Sequence, residues 1–282
     1  MADSTSNSMQ RMDFPLLHKV KLLDETCPKH PDQHLIQLPG HEPFCPLDTR
    51  EDIQELGKQI ELGYFAKRER YETTDVLARE SIFDDDKAKN CTFDSYITKP
   101  GDETEANKKL ARHLAGKYLN PNFRANTILT GTPGTGKTHL AMAMLNAVND
   151  HIKPPTSCLF VNVNELARRV KDSFRYNDAP LDEKAATSLL GGVGLLVLDD
   201  LGSESVFKSS GNSEASDWIQ QLLYGVINNR EGRIIITTNF SNSELSRIYS
   251  KRLLSRMYRG MEAAGSVIKF TDKTADKRGG QL

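Results

Sequence analysis

The chain has 282 residues, 38% of them hydrophobic and 27% charged, enough for one large domain, or one domain and a small companion, around a real core. Its net charge of −1 excludes a global basic field that would draw it onto nucleic acid, so any such contact must come from a local patch. With four cysteines, a polar start at Met1–Ser8 and an apolar run at Val193–Leu198 that is too short to span a bilayer, a disulfide framework, a signal peptide and a membrane span are not expected, and the reading is a reduced, cytoplasmic protein without a membrane partner.

Residues 1–19 are polar and read as a disordered N-terminus, and 20–86 read as a small N-terminal domain. Within the latter, Cys27-Pro-Lys-His30 and Cys45-Pro-Leu-Asp48 form two knuckles that match the halves of a tetrahedral zinc site. Cys27, His30 and Cys45 are the three strong ligands, and Asp48, His34 or His41 could be the fourth. Farther on, Ile53, Leu56, Ile60 and Tyr64 recur at helical spacing, giving a helix that packs on its own domain or docks a partner. The run Asp84-Asp-Asp-Lys-Ala-Lys89 reads as a charged linker, with the second domain at 87–282.

That domain opens at Cys91-Thr-Phe-Asp-Ser-Tyr96, where Cys91 lacks a metal partner in spacing and reads as a small buried residue. A helix over Glu105–Tyr118 leads to a short β-prone run, Thr127–Thr130, and then to Gly131-Thr132-Pro133-Gly134-Thr135-Gly136-Lys137-Thr138, followed by the helix former His139–Val148. The octapeptide fits the phosphate-binding P-loop in its strand–loop–helix context. Glycines let the backbone aim N–H groups at phosphate oxygens, the helix N-terminus adds positive partial charge, Lys137 reaches the β- and γ-phosphates, and Thr138 holds Mg²⁺.

Next come a buried strand at Cys158–Val163, a helix over Asn164–Tyr176 capped by Asn164, and a short helix over Leu181–Leu190. Repeated β–α alternation predicts an α/β fold with a parallel sheet flanked by helices. The apolar strand Leu195–Leu198 ends in Asp199 and Asp200. The carboxyl ends of parallel strands form the ligand crevice, so Asp199 is expected beside Thr138, holding Mg²⁺ through water, and Asp200 is placed to orient or deprotonate an attacking water. A helix over Ser213–Asn229 precedes the strand Arg233–Thr238, at whose end Asn239 could hydrogen-bond the γ-phosphate or the water. Residues 250–282 hold eight Lys and Arg against Glu262, Asp272 and Asp276, a basic segment suited to phosphate recognition.

Taken together, Gly131–Ala141, Leu196–Glu204, Thr237–Phe240, Arg252–Met257 and the Cys91–Tyr96 start resemble the AAA+ helicase loaders of the DnaC/DnaI type, within the IstB-like ATPases. The resemblance covers about residues 90–282, and the front part is similar in outline only, to a small, sometimes zinc-bearing, helicase-binding domain. It implies an AAA+ P-loop ATPase that binds and hydrolyses ATP with Mg²⁺ and self-associates through this domain. Such a protein delivers a hexameric, DnaB-like replicative helicase onto single-stranded DNA during replication initiation. By the same resemblance, Lys137 and Thr138 are the Walker A pair, Asp199 and Asp200 Walker B, and Asn239 sensor 1. His139 borders the nucleotide, Arg256 is the arginine finger acting on a neighbouring subunit's ATP, and Arg278 is the sensor 2 arginine. Asp200 departs from the Glu of many AAA+ enzymes, and the fourth zinc ligand departs from the usual Cys. The alternatives are a transposition helper ATPase of the IstB type and a nucleotide-gated adaptor with little turnover.

Overall fold

A computed structural model describes residues 19–174, 181–207, 213–214, 217–230, 233–272 and 274. The chain divides into two compact units, Met1–Lys67 and Arg68–Leu282.

In the first unit, strands β1 (Lys21–Thr26) and β2 (His34–Gln37) pair antiparallel, and Ile36 bridges to Phe44. Helix α1 (Pro46–Glu72) begins here and is longer than its apolar periodicity suggested. Ile53, Leu56, Ile60 and Tyr64 share a helical spacing but remain 57–64% exposed, so they do not pack on the helix's own unit. Among residues 19–67 the buried ones are Cys27 and Cys45. A unit with so little apolar burial needs another source of stability.

The second unit is built on five apolar segments, each flanked by turn residues. They become β3 (Thr127–Gly131), β4 (Cys158–Asn162), β5 (Leu195–Asp199), β8 (Ile234–Thr238) and β9 (Val267–Phe270), parallel, in the order β4-β5-β8-β3-β9. The continuous hydrophobicity of β4, β5 and β8 follows from burial on both faces, whereas β9 at the sheet edge alternates exposed and buried residues. Leu159, Leu196, Leu198, Ile234 and Ile236 enter one core layer, and Phe160, Leu195, Val197 and Ile235 enter the other. The second layer is closed by α3 (Glu103–Tyr118) and α4 (Lys137–His151). The first is closed by α5 (Val163–Ser173), α6 (Glu183–Gly192), α7 (Asp217–Asn228), α8 (Asn242–Ile248), α9 (Lys251–Met257) and α10 (Met261–Ala264). The two-residue strands β6 (Val206–Phe207) and β7 (Ser213–Glu214) pair antiparallel.

Several expected boundaries move. Helix α5 starts at Val163, and its cap is Asn162, whose side chain accepts from the Glu165 N–H at 3.1 Å. Asn164 is already helical, its Nδ2 donating to Ser203 Oγ at 2.7 Å. Ser213 belongs to a strand, and the helix that follows starts at Asp217. Cys91 is half-buried. The stretch read as the end of the front domain packs in the second unit. Helix α2 (Val76–Glu80) lies against β4, Ile82 bridges in parallel to Val161, and Phe83 stacks on Phe160 at 4.7 Å. The apolar Ile82-Phe83 pair overrides the charged run after it.

Two arginines are buried without a carboxylate partner among the described residues. Arg230 donates to the carbonyls of Leu190 and Val193, and Arg233 to those of Tyr118, Asn120 and Gly194. Both thus sit at the C-terminal ends of α6 and α3, where the helix dipole favours a cation.

No described helix is long and apolar enough to cross a membrane.

Candidate functional site

Parallel register brings the chemistry-bearing residues to one end of the sheet. Thr130 lies opposite Thr238, and Leu198 opposite Ile236, so β3, β8 and β5 release Gly131, Asn239 and Asp200 side by side. Asp200 and Asn239 border a pocket of about 250 Å³ lined also by Asp84, Gly134, Gly136, Lys137, Thr138, His139, Asp199 and Thr237.

The loop Gly131–Gly136 curls over this pocket through left-handed backbone that only glycine adopts freely. Gly131 has φ +136°, and a Cβ there would sit 1.7 Å from the Phe270 carbonyl oxygen. Gly136 has φ +94°, and a Cβ would meet the Tyr96 ring at 2.7 Å. Thr135 is buried, its hydroxyl donating to the Thr132 carbonyl at 2.8 Å. Lys137, buried at the first position of α4, donates from Nζ to the carbonyls of Gly131 at 2.9 Å and Thr132 at 2.7 Å. Thr132 and Pro133 complete the loop.

Asp199 is 2% exposed at the end of β5. Burial pushes its carboxyl up to about 6, against hydrogen bonds from Thr237 and Thr138 that favour the carboxylate. The Thr237 hydroxyl donates to Asp199 Oδ1 at 2.7 Å and accepts the Asp200 N–H at 2.9 Å. Asp200 itself has φ +58°, a left-handed conformation that Asp tolerates better than most residues. Its Oδ1 accepts from Asn239 Nδ2 at 2.9 Å, so the amide at the end of β8 fixes the carboxylate at the end of β5.

These residues fit a nucleoside triphosphate with a divalent cation. Gly134 and Gly136 line the pocket with left-handed backbone, in the loop whose N–H groups a phosphate chain would need. A buried carboxylate and the Thr138 hydroxyl sit together, which is the donor set for Mg²⁺. Lys137, Thr138, Asp199, Asp200 and Asn239 all line the pocket. His139 lines it too, while its Nε2 lies 3.0 Å from both Ser95 Oγ and the Thr92 carbonyl oxygen and its ring meets Tyr96 edge-on.

Arg256 is elsewhere, on α9. Its Nη2 donates to the Tyr224 hydroxyl at 3.2 Å and its guanidinium lies 5.1 Å from the Tyr224 ring centroid, with Arg252 at 4.7 Å. Arg278 lies outside the described residues.

Sequence reasoning missed Thr237, Tyr96 and Asp84. Thr237 sits inside the Thr-Thr-Asn run, but a hydroxyl in a strand carries no signal of its own. Tyr96, whose hydroxyl donates to the Thr135 carbonyl at 3.3 Å, is a contact that spacing does not reveal. Asp84 was hidden in a charged run.

In the first unit, Cys27, His30, Cys45 and Asp48 present ligand atoms that all lie within 4.8 Å of one another. A tetrahedral zinc with bonds of about 2.0–2.3 Å has ligand–ligand edges of roughly 3.3–3.8 Å. Here Cys27 Sγ and Cys45 Sγ lie 3.8 and 3.7 Å from His30 Nδ1, Cys27 Sγ lies 3.2 Å from Asp48 Oδ2, and His30 Nδ1 lies 3.1 Å from Asp48 Oδ1. Asp48 Oδ1 is buried and accepts no well-aligned hydrogen bond, with Lys29 Nζ at 3.9 Å in addition to His30 Nδ1. His30 turns its other nitrogen to Glu51 Oε1 at 3.2 Å, the outer carboxylate that orients many metal-binding histidines. Burial and Asp48 raise the Cys27 thiol. At Cys45 burial also raises, but the Asp48 and Leu47 N–H groups, with Cys27 and His30, bring the thiol below its ordinary range. Of the three options for the fourth ligand, Asp48 joins the cluster. His34 instead faces the Leu23 carbonyl at 2.9 Å, and His41 is exposed outside it.

The profile of the family described as IstB-like ATP binding protein matches residues 91–257, more than half of the chain, so the chain belongs to that family. It is similar to the protein named replicative helicase loader DnaC from Buchnera aphidicola subsp. Baizongia pistaciae, 31% identical over 154 residues, 54% of this chain and 58% of the relative. It is also similar to the protein of the same name from Escherichia coli K12, 26% identical over 174 residues, 61% of this chain and 64% of the relative. The chain thus spans less than two thirds of the length of these curated relatives. A solved structure titled "Crystal Structure of the DnaI" superposes with a TM-score of 0.51 at 20% identity, covering 68% of this chain and 95% of the other, which supports the fold.

Proposed function

We propose that this member of the IstB-like ATP-binding family is an ATP-dependent loader that delivers a hexameric, DnaB-like replicative helicase onto single-stranded DNA. The observation that carries this reading is the pocket itself, where Lys137, Thr138, Asp199, Asp200 and Asn239 converge at the carboxyl ends of β3, β5 and β8. Relatives named replicative helicase loader that span this region support the biological role.

In this reading the loop N–H groups and Lys137 bind the phosphates, Lys137 exchanging its two carbonyl partners for phosphate oxygens. Thr138 and Asp199 hold Mg²⁺, which supplies charge neutralisation at the phosphates. Asp200, steadied by Asn239, orients the attacking water and takes its proton. Arg256, presented by α9 against Tyr224, serves the nucleotide of a neighbouring copy, its planar fork suited to phosphate oxygens. Arg278 is the proposed sensor 2 contact. Single-stranded DNA is bound by local basic residues such as those of the 250–282 segment. The front unit, with zinc held by Cys27, His30, Cys45 and Asp48 and with the exposed apolar residues of α1, is the part that meets the helicase.

The family description also favours a second reading, a transposition helper ATPase of the IstB type. Capture experiments separate the two. The tagged full chain with ATP retains a purified hexameric replicative helicase if it is a loader, and retention of a transposase with no helicase overturns that reading. A nucleotide-gated adaptor would bind ATP with negligible steady-state turnover, with or without single-stranded DNA.

A further inference from the structure

The pocket holds one carboxylate more than the proposed chemistry uses. Asp84 lines it together with Asp199 and Asp200, against Lys137 as the lining lysine. The excess of negative charge is unfavourable for a polyanionic ligand taken alone and favourable for one that arrives with a divalent cation.

Asp84 is held there by its neighbours. Just before it, Ile82 joins the outer edge of β4. Its N–H donates to the Phe160 carbonyl at 2.8 Å, its carbonyl accepts from the Asn162 N–H at 2.8 Å, and Ser81 Oγ accepts from the Phe160 N–H at 3.0 Å. Phe83 stacks on Phe160. Just after it, the carbonyls of Lys89 and Cys91 accept from Asn146 Nδ2 on α4 at 3.2 and 2.9 Å. The segment is therefore pinned at one end to the sheet and at the other to the P-loop helix. Because Ile82 runs parallel to Val161, the chain leaves it at the same end of the sheet as Asp199. The Asp84 carboxylate is exposed, accepts the Asp85 N–H at 2.9 Å, and acts electrostatically on Asp199.

We propose that Asp84 is a third carboxylate of the nucleotide site, a positioning residue that repels the bare triphosphate and attracts its divalent-cation complex. It makes nucleotide binding depend on the cation more steeply than Thr138 and Asp199 alone would. The proposal rests on the nucleotide-site reading above.

The test is a binding titration of the full chain with a fluorescent non-hydrolysable ATP analogue, in excess Mg²⁺ and in EDTA, for the wild type, Asp84→Asn and Asp86→Asn. Asp86 is exposed, outside the pocket lining, and paired with Lys89 at 2.8 Å, so its variant removes the same charge nearby. Asp84→Asn is expected to bind the analogue more tightly in EDTA and no more tightly in Mg²⁺. The ratio of the two Kd values should then fall roughly 3- to 10-fold, the scale of one screened charge. Asp86→Asn should keep the wild-type ratio. A ratio for Asp84→Asn equal to wild type, or equal weakening in both buffers as from mere structural damage, overturns the proposal. Failure of the wild type to bind in Mg²⁺ instead overturns the nucleotide-site reading on which it stands.

Discussion

The two candidate sites are built in opposite ways. The nucleotide pocket draws its lining from Asp84 to Asn239, residues far apart in sequence that a sheet buried on both faces brings together. The Cys/His cluster draws its donors from Cys27 to Asp48, in a unit whose buried residues, among those described, are two of the donors themselves. One site is a product of its fold. The other is positioned to be a cause of its fold, because a structural zinc contributes on the order of 10 kcal/mol that a unit without an apolar core lacks. Removing a ligand residue should therefore do little to the architecture around the pocket and much to the architecture around the cluster.

The largest expected effect tests that contrast directly. Cys45→Ser should lower the zinc content from about one ion per chain to near zero, since such a site holds a single tetrahedral ion. It should abolish hydrogen-exchange protection in β1 and β2 and leave nucleotide affinity within about twofold, as expected for independent sites. Metal analysis that finds no zinc in wild-type protein purified without chelator would end the metal reading and with it the comparison.

The mirror experiment comes next. Lys137→Ala removes the main cation for the phosphates, so ATP binding should be lost while zinc content and the protection of β1 and β2 stay at wild-type levels. Wild-type ATP affinity in a filter-binding assay would contradict the P-loop role. Asp200→Asn is a narrower change. It keeps the hydrogen-bonding partner of Asn239 but removes the charge that takes a proton, so binding should persist and turnover should fall by about 10²-fold or more. Full steady-state turnover in this variant would move the base elsewhere.

Legibility in the sequence divides along the same line. Gly131–Thr138, Asp199, Asp200 and Asn239 could be read because each sits in a short pattern tied to a strand end, and their meeting follows from parallel topology. Thr237 could not be read, because its role is to join Asp199 to the Asp200 N–H across two strands, a pairing that only register creates. From sequence the cap of α5 reads as Asn164, two residues after the observed cap, Asn162. What decided between them was where β4 ends, and that depends on its pairing with β5. Asp84 reads as linker because its charge run outweighs one apolar pair, Ile82-Phe83, whose value lies in the distant strand β4, where Ile82 bridges to Val161 and Phe83 stacks on Phe160. In the front unit the ligand spacing was legible, but the choice of Asp48 over His34 or His41 needed the start of α1 to place Asp48 beside His30.

The smallest expected effect sharpens what it means for the pocket to be a product of its fold. Asp199 is buried, with its carboxyl pushed from 3.8 to about 6. A carboxyl whose folded pKa lies above its unfolded value binds protons more readily when folded, so stability falls as pH rises between those values, and the cost is fully present above about 6. Over that interval the cost amounts to about 2–3 kcal/mol. Asp199→Asn keeps an acceptor for Thr237 and Thr138 without the charge. In the absence of nucleotide and Mg²⁺ it should raise the Tm by several degrees at pH 7.5, with the gain shrinking from pH 6 downward and vanishing near pH 4. With Mg²⁺ and ATP the order should reverse, because only the ionised carboxylate repays its burial by holding the cation, and wild-type nucleotide affinity should itself weaken as pH drops through 6. A site assembled to bind a cation is then seen to hold a standing strain that the ligand relieves. Equal Tm for the two proteins across pH 4–8 would mean that Asp199 carries no such strain.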